Sequence, residues 1–423
     1  MGEETTELIL TGDRAEATKN VCDCPVAYTV KRWVSVDPRS CVSEDFEMKN
    51  GNCSRRTALK TIVGGTAASL LHAQGLHRDL IRLDAEFQTI ENFSASDCWS
   101  MQRVGTWSLP NRNRLADLLF SQSIGIGLSC WRFNIGGAIT DKITTPWRTA
   151  DTFEVAEGMY DWTRQAPEHW FLGAAKAREV PQFLAFVNSP PGRMTRTGIT
   201  YGRSGPDPTN LKPGFEGQFA RYLLDILEHF RNNPDIGQRI AFDYISPVNE
   251  PNVEWNGKSQ EGCRAANDDV KAVLRALDAE LKKRKCPTEI TGIEVSGLPP
   301  LISVSDRMSK KYSVKYGDYL DDFLGDKAIA GMLNSRFSYH DYGSELLKGQ
   351  LVENREAVRK KFDQYPGWKP WMSEFESIGW IAAYRFLFPC AGGQRRCSWG
   401  GTRQVAGATP YARSTALALP IHE

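Results

Sequence analysis

Two glutamates in the sequence follow apolar runs and have polar or aromatic neighbours. Glu250 comes after Asn249 in "YISPVNEPNVEW", and Glu374 ends "KPWMSE". A pair of carboxyl groups can hydrolyse a glycosidic bond, because one protonates the leaving oxygen while the other attacks the anomeric carbon. The two motifs therefore predict a glycosidase site. The alternative for the first motif is a solvent-facing loop, which Pro247 and Pro251 alone would favour.

Apolar runs rich in strand-forming residues alternate with amphipathic stretches between about residues 86 and 376. In "DDVKAVLRALDAELKKR", Val270, Leu274 and Leu277 recur at helical spacing with charged residues between them. Strands separated by helices in this rhythm pair in parallel through right-handed crossovers. The predicted strands are 88–93, 127–135, 182–188, 240–248, 289–296, 335–340 and 369–373. The predicted helices are 113–122, 163–178, 214–232, 265–284, 317–324 and 352–364.

Continuously apolar strands have both faces covered, as in an eight-stranded (β/α) barrel or a doubly wound sheet. A doubly wound nucleotide-binding sheet would carry a glycine fingerprint after its first strand, whereas "VGGTAAS" at 63–69 follows no strand. Polar residues end most of the apolar strands, and the carboxyl ends of the strands carry the active site in a TIM barrel. We therefore expect an α/β fold of this kind. The strand-end residues are Arg132, Asn134, Asn188, Asn249, Glu250, His340, Asp341, Tyr342, Ser373 and Glu374.

Five motifs together resemble one known family. They are "ENFSASDCWS", "CWRFNIGG", "NSPPGRM", "ISPVNEPNVEW" and "PWMSEFES", at the first, second, third, fourth and seventh strands. The pattern is similar to glycoside hydrolase family 30, a family of retaining (β/α)8-barrel glycosidases, and most similar to its endo-β-1,6-galactanase branch. The resemblance covers residues 86–376.

The resemblance implies a role for each matching residue. Glu250 would be the general acid/base, which stays protonated until it is used, and Glu374 the nucleophile. Asn249 would hydrogen-bond the sugar 2-hydroxyl, and Arg132 would keep Glu374 ionised. His340 and Tyr342 would contact Glu374 or the sugar. The remaining candidate sugar contacts are Asn134, Asp97, Trp99 and Trp255, with structural packing as the alternative for each Trp.

The resemblance also implies elements for which the sequence shows no pattern. The family continues past the nucleophile through an eighth strand and helix and has a β-sandwich. We therefore expect a (β/α)8 barrel that is truncated after strand seven and lacks the complete β-sandwich, with weak hydrolysis and a low melting temperature. The alternative functions are a catalytically impaired carbohydrate-binding barrel, or a family member acting on xylan, β-1,6-glucan or glucosylceramide.

Three further segments flank the predicted barrel. Residues 48–75 resemble a twin-arginine signal peptide, with paired arginines before a short apolar run, and this predicts export to the periplasm or the extracellular space. Residues 1–47 precede that signal and are interpreted as a misread upstream segment. Residues 377–423 form an aberrant tail with no Asp or Lys, which suggests a frameshift.

Composition excludes some partners. A net charge of +1 argues against nucleic acid and anionic membranes, so the expected partner is a polysaccharide or oligosaccharide, bound by a monomer without a cofactor. Ten cysteines show no paired metal-ligand spacing, and we expect no metal. A redox or metal protein using Cys22 and Cys24 is a third alternative. Pairing of Cys263 with Cys286 is left open.

Overall fold

The structure describes five ranges of the chain. The computed structural model describes residues 90–138, 148–202, 205–257, 260–342 and 350–375. They belong to one compact unit, Phe87–Glu423. The segments interpreted as a misread start, a signal peptide and an aberrant tail lie outside the described residues, as do any elements beyond the seventh predicted strand. Truncation of the barrel therefore stays a prediction.

Parallel strands form the centre of the unit. Two ladders, β1-β2-β5-β6-β7 and β8-β9-β10, follow each other in chain order, and every pair within them is parallel. A short antiparallel hairpin, β3-β4, which the sequence did not predict, follows the second strand. The strands are β1 (Ser94–Ser96), β2 (Cys130–Asn134), β3 (Glu154–Ala156), β4 (Met159–Tyr160), β5 (Gln182–Phe186), β6 (Tyr244–Ser246), β7 (Glu289–Ile290), β8 (Gly292–Val295), β9 (Arg336–His340) and β10 (Lys369–Glu374).

Helices separate most of the parallel strands, as the hydrophobic periodicity predicts. In the helix Glu216–Arg231 the buried residues include Phe219, Leu223 and Leu227, which share one face and join the main hydrophobic core. Among the described residues no helix is long and apolar enough to span a bilayer. The helices are α1 (Met101–Val104), α2 (Leu109–Phe120), α3 (Ala166–Ala177), α4 (Glu216–Arg231), α5 (Asn267–Arg284), α6 (Leu298–Ile302), α7 (Asp306–Tyr312), α8 (Tyr319–Leu324), α9 (Lys327–Ala330) and α10 (Gln350–Phe362).

Two strand predictions need correction. The first described strand is Ser94–Ser96, whereas the predicted strand was 88–93, of which residues 90–93 are described and form no strand. The small residues that pair with β2 are weak strand formers and give no propensity signal. The predicted strand 289–296 is broken at Thr291, where β7 pairs with β6 and β8 pairs with β9. Gly292 has φ 123°, a conformation that glycine adopts without a Cβ clash, so the strand can turn between its two neighbours.

The first and last described strands approach each other through Glu91, which directly precedes the β1 region. Its carboxylate accepts a hydrogen bond from Trp371 Nε1 of β10 at 3.0 Å and pairs with Arg336 of β9 at 3.2 Å. Lys369 also bonds to Glu91. This contact joins the amino-terminal ends of the strands and leaves the opposite ends, which carry the polar residues, for the site.

Cys263 and Cys286 are free thiols. Helix α5 lies between them in sequence, and its 18 residues span about 27 Å at 1.5 Å per residue. A disulfide requires Cα atoms within about 7 Å of each other. Cys263 Sγ instead lies near Arg264 O, and Cys286 Sγ lies near Thr288 Oγ1.

Candidate active site

Buried charged side chains from five parallel strands meet at the carboxyl ends of those strands. Arg132 lies on β2, Glu250 follows β6, Glu294 lies on β8, His340 ends β9 and Glu374 ends β10. Each is at most 8% exposed. Charges this well buried need partners, and these residues supply them to each other.

Glu250 and Glu374 face the same imidazole ring. Nδ1 of His340 lies 2.9 Å from Glu250 Oε1, and Nε2 lies 3.7 Å from Glu374 Oε2. One carboxyl oxygen of Glu250 and one of Glu374 lie within 4.8 Å of each other. Tyr342 donates a hydrogen bond to the second oxygen of Glu374 at 2.9 Å. The two candidate carboxyl groups are therefore neighbours across one small volume.

Arg132 is the cation beside Glu374. Its Nη1 lies 2.8 Å from Glu374 Oε2, and its Nη2 lies 3.3 Å from Glu294 Oε2. Nη2 also donates to Asn249 Oδ1 at 3.2 Å. The guanidinium carbon lies 3.3 Å from the centre of the Phe186 ring, so one face of the cation is covered by an apolar side chain. These contacts fix the guanidinium between the two carboxylates.

Glu294 belongs to this cluster, although the sequence analysis did not select it. Its side chain is 0% exposed, and its backbone oxygen accepts a hydrogen bond from Glu250 N at 2.8 Å. Burial opposes ionisation of Glu294, but the nearby Arg132 charge and the bond to His340 outweigh it and lower the pKa to about 2. The signal was available, since Glu294 near the end of "EITGIEVS" is a polar residue near a strand end like the others.

Three amide side chains connect the site to a further buried carboxylate, that of Glu261. Asn249 Nδ2 donates to Asn188 Oδ1 at 3.0 Å, and Asn188 Nδ2 donates to Asn134 Oδ1 at 3.1 Å. Asn134 Nδ2 then donates to Glu261 Oε1 at 3.1 Å. An ionised carboxylate only accepts hydrogen bonds and a guanidinium only donates them. With Glu261 at one end and Arg132 at the other, the direction of all three amides is fixed.

The other candidate sugar contacts lie in different environments. Asp97 is 1% exposed, and both of its carboxyl oxygens accept from Asn134 N at 3.0 Å. Trp99 is 2% exposed and packs in an interior cluster that includes Phe186 and Trp371. Trp255 lies at the mouth, where its Nε1 donates to Glu250 O at 3.0 Å. Asp97 and Trp99 therefore support the site from below, whereas Trp255 is placed to meet a ligand.

Two buried carboxyl groups, those of Asp97 and Glu168, have raised pKa values. Burial raises the pKa of Asp97 to about 7, against the opposing effect of the Asn134 hydrogen bond and the Arg132 charge. Burial and the charges of Asp97 and Asp151 raise the pKa of Glu168, on α3, to about 8. Because their pKa values are raised, Asp97 and Glu168 make the stability of the protein depend on pH.

A cleft of about 610 Å³ opens at the acid/base candidate. It runs from Glu250 and Tyr342 to the polar and proline-rich segment around α6. The volume is large enough for several sugar units, given that ligand pockets measure about 300–1,000 Å³. The remaining lining residues include Asn252, Val253, Trp255, Gln260, Ser296, Pro299, Pro300 and Ser305.

The Glu250, His340 and Glu374 side chains have the atom types of a metal site, but their bonding argues against that use. A metal needs an imidazole lone pair. Nδ1 of His340 is taken by Glu250, and Nε2 is 3.0 Å from Glu294. Arg132 already supplies a positive charge to Glu374. The cluster compensates its carboxylates with protein cations.

Comparison with known proteins agrees with the geometry. A family model described as O-Glycosyl hydrolase family 30 matches residues 78–385. No curated protein matches the chain. Among solved structures, the chain is similar to a conserved exported protein from Bacteroides fragilis, with 30% identity over 70% of this chain and 62% of that one, and a TM-score of 0.62.

Two more distant structures share the fold. SrfJ from Salmonella typhimurium has 15% identity and a TM-score of 0.53, over 72% of this chain and 62% of that one. An endo-β-1,6-glucanase has 19% identity and a TM-score of 0.52, over 74% of this chain and 67% of that one. The chain thus spans 62% of the length of the Bacteroides and Salmonella proteins.

Proposed function

Because the chain belongs to O-glycosyl hydrolase family 30, we propose that it cleaves β-glycosidic bonds within a polysaccharide by double displacement, with Glu374 as the nucleophile and Glu250 as the general acid/base. The observation that carries this proposal is the separation of the two carboxyl groups. One oxygen of each lies within 4.8 Å of the other. Retaining glycosidases hold their carboxyl groups about 5–5.5 Å apart, whereas inverting enzymes need about 6.5–9.5 Å to admit a water molecule.

The contacts of each glutamate support its assigned role. Glu374 has Arg132 on one oxygen and Tyr342 on the other, so the carboxylate is aimed and charged before it attacks. Glu250 opens onto the cleft, where a leaving sugar would sit. In the first step Glu374 forms a bond to the anomeric carbon while Glu250 gives its proton to the departing oxygen. In the second step Glu250 takes a proton from water while the water oxygen bonds to the anomeric carbon, and the bond between that carbon and Glu374 breaks.

For the substrate, we propose a β-linked galactan, cleaved at internal β-1,6 bonds. The support is the resemblance of the five sequence motifs to the endo-β-1,6-galactanase branch. The open cleft fits a polymer whose chain continues beyond the cleavage point. Xylan and β-1,6-glucan are the closest competing substrates, and the loop contacts that separate them decide the outcome.

The test is a hydrolysis screen with matched variants. Purified protein is incubated with β-1,6-galactan, β-1,6-glucan and glucuronoxylan, and the products are separated by chromatography. E250Q and E374Q each remove one carboxylate and should lower turnover by at least about 100-fold, the scale of general acid catalysis. E289Q, on β7 with a side chain 41% exposed, is the control and should keep full activity.

Two outcomes decide between the candidate functions. Proton NMR of the anomeric signals shows the configuration of the products. Release of β-configured products would support double displacement. Binding of a polysaccharide without turnover by the wild-type chain would reject the enzyme proposal in favour of a carbohydrate-binding barrel. Hydrolysis confined to xylan or glucan would reject galactan while leaving the mechanism in place.

We also propose that the protein is exported. The basic segment Ser54-Arg55-Arg56 precedes a short apolar run, and a similar solved structure is described as an exported protein. Replacing Arg55 and Arg56 by Lys should retain the protein in the cytoplasm of a bacterial host with a twin-arginine system. Unchanged cell fractionation would contradict the proposal.

A further inference from the structure

Glu294 is a buried carboxylate to which the double-displacement scheme gives no part. It nevertheless accepts hydrogen bonds on both oxygens. Ser246 Oγ donates to Oε1 at 2.5 Å, Ser373 Oγ donates to Oε2, and His340 Nε2 lies 3.0 Å from Oε2. Arg132 Nη2 lies 3.3 Å from the same oxygen. A carboxylate surrounded by donors on every side stays ionised and can only accept.

This surrounding fixes one proton of the neighbouring ring. Because Glu294 Oε2 accepts, Nε2 of His340 must carry hydrogen. The other ring nitrogen, Nδ1, lies 2.9 Å from Glu250 Oε1 and permits two arrangements. In a neutral ring, Nδ1 would accept a hydrogen bond from a protonated Glu250 Oε1. In an imidazolium, Nδ1 would donate a hydrogen bond to that oxygen. The two arrangements place the acid's proton on different oxygens.

The charges around the ring favour the imidazolium. His340 is 0% exposed and faces Glu250 after β6, Glu294 on β8 and Glu374 on β10, with the Tyr342 ring centre 5.8 Å away. Burial opposes a charged ring, but the charge of Glu374 and the hydrogen bonds to Glu250 and Glu294 outweigh it and raise the pKa of His340 to about 9. With His340 and Arg132 as cations, two positive charges lie beside the carboxylates of Glu294 and Glu374.

We propose that Glu294 is a positioning residue that keeps both nitrogens of His340 protonated, so that His340 occupies Oε1 of Glu250 and leaves Oε2 as the oxygen that delivers the proton. This proposal deepens the hydrolase function and depends on it for its catalytic consequence. In glycosylation the Oε2–H bond breaks and the proton goes to the departing sugar oxygen. In deglycosylation the same oxygen takes a proton from water while His340 keeps both of its own.

A histidine titration by NMR tests the protonation state without any substrate. The chain has six histidines, so a protein labelled with ¹³C and ¹⁵N in histidine gives few signals. H340Q identifies the His340 signal by its loss. In wild-type protein this ring should remain protonated at pH 8, where ordinary histidines with a pKa of about 6.5 are neutral. A His340 signal that titrates below pH 7 would overturn the proposal, and this measurement requires no folded variant of Glu294.

The variant E294Q, with E289Q as its control, then tests the link to catalysis. In E294Q the His340 titration should move down by at least about one pH unit, because one neighbouring negative charge is lost. In the plot of kcat against pH, the decline on the basic side should move to lower pH together with the His340 titration. The loss of kcat in E294Q should therefore be at least about tenfold larger at pH 8 than at pH 5. E289Q should change neither measurement.

The two proposals fail in different ways. Equal losses at both pH values with an unmoved His340 signal would show that Glu294 has only a structural role. Absence of hydrolysis by the wild-type chain would defeat the proposed function while the NMR titration still decides the protonation state.

Discussion

Arg132 and Glu374 form a buried ion pair at 2.8 Å although 242 residues separate them in the chain. Their side chains are 1% and 7% exposed, so neither charge has access to bulk water. Arg132 lies on β2 and Glu374 ends β10, two strands of different ladders, so the ion pair connects the two ladders. The pair therefore serves both the fold and the chemistry.

R132K should destabilise the protein as well as inactivate it. A lysine has one ammonium group and cannot contact Glu374, Glu294 and Asn249 together in the geometry of a guanidinium. Disrupting a buried pair costs about 3–5 kcal/mol of unfolding free energy, which urea denaturation can measure. R164K changes a more exposed pair with Asp161 and should leave the unfolding curve close to that of wild type. Equal unfolding curves for R132K and R164K would contradict the assignment.

Y342F should slow hydrolysis without lowering stability much. The lost hydrogen bond to Glu374 Oε1 is made to a charged group and is worth about 1.5–3 kcal/mol, or about ten- to hundred-fold in kcat/KM. The control is Y365F, which removes a tyrosine bond to Asp321 outside the site. Steady-state rates for both variants provide the comparison. If Y365F loses as much activity as Y342F, the effect does not come from Glu374.

N188A should act on Asn249 through the amide chain. Without the Asn188 carbonyl, the Asn249 amide loses the acceptor that holds its Nδ2 in place, and we expect about a tenfold loss of kcat/KM. Because the family resemblance implies that Asn249 contacts the sugar 2-hydroxyl, we expect a smaller loss on a 2-deoxy substrate. The surface variant N233A is the control for a general effect of removing an amide. Equal losses on both substrates would show that Asn188 does not work through that contact.

E168Q should flatten the dependence of stability on pH. Glu168 has a pKa raised to about 8 from the usual 4.5, so between those values the folded protein retains a proton that the unfolded chain has released. Stability contributed by this group is therefore complete below pH 4.5 and falls as the pH rises towards 8. Glutamine has no proton to lose. Urea midpoints at pH 5 and pH 8 should differ less for E168Q than for wild type, while the exposed variant E157Q should behave as wild type does.

Hydrophobic periodicity predicted the central helices and the parallel pairing of most strands, because burial repeats regularly in such elements. It missed Ser94–Ser96, a strand of small residues that pairs with β2 and has no hydrophobic pattern of its own. It also missed the break at Thr291, which depends on the different strands paired on either side. Both features arise from tertiary pairing that local sequence does not encode.

The sequence predicted most of the charged residues of the site but not all of their contacts. Polar residues at strand ends identified Glu250, Glu374, Arg132 and His340 as neighbours. The family resemblance made Asp97 a candidate sugar contact, but the hydrogen bonds from Asn134 N show that its carboxylate is turned towards the backbone. Glu294 was overlooked because it lies inside an apolar run, and its partners come from four other strands, β2, β6, β9 and β10.

The contact between Glu91 and Trp371 spans 280 residues. Closing so long a loop carries a large entropic cost, which is repaid only after the intervening strands have paired. The contact should therefore form late during refolding, after the central strands have collapsed. Because the indole of Trp371 donates directly to Glu91 and the chain has 12 tryptophans, the part of the refolding fluorescence that differs between wild type and E91Q should report when this contact forms.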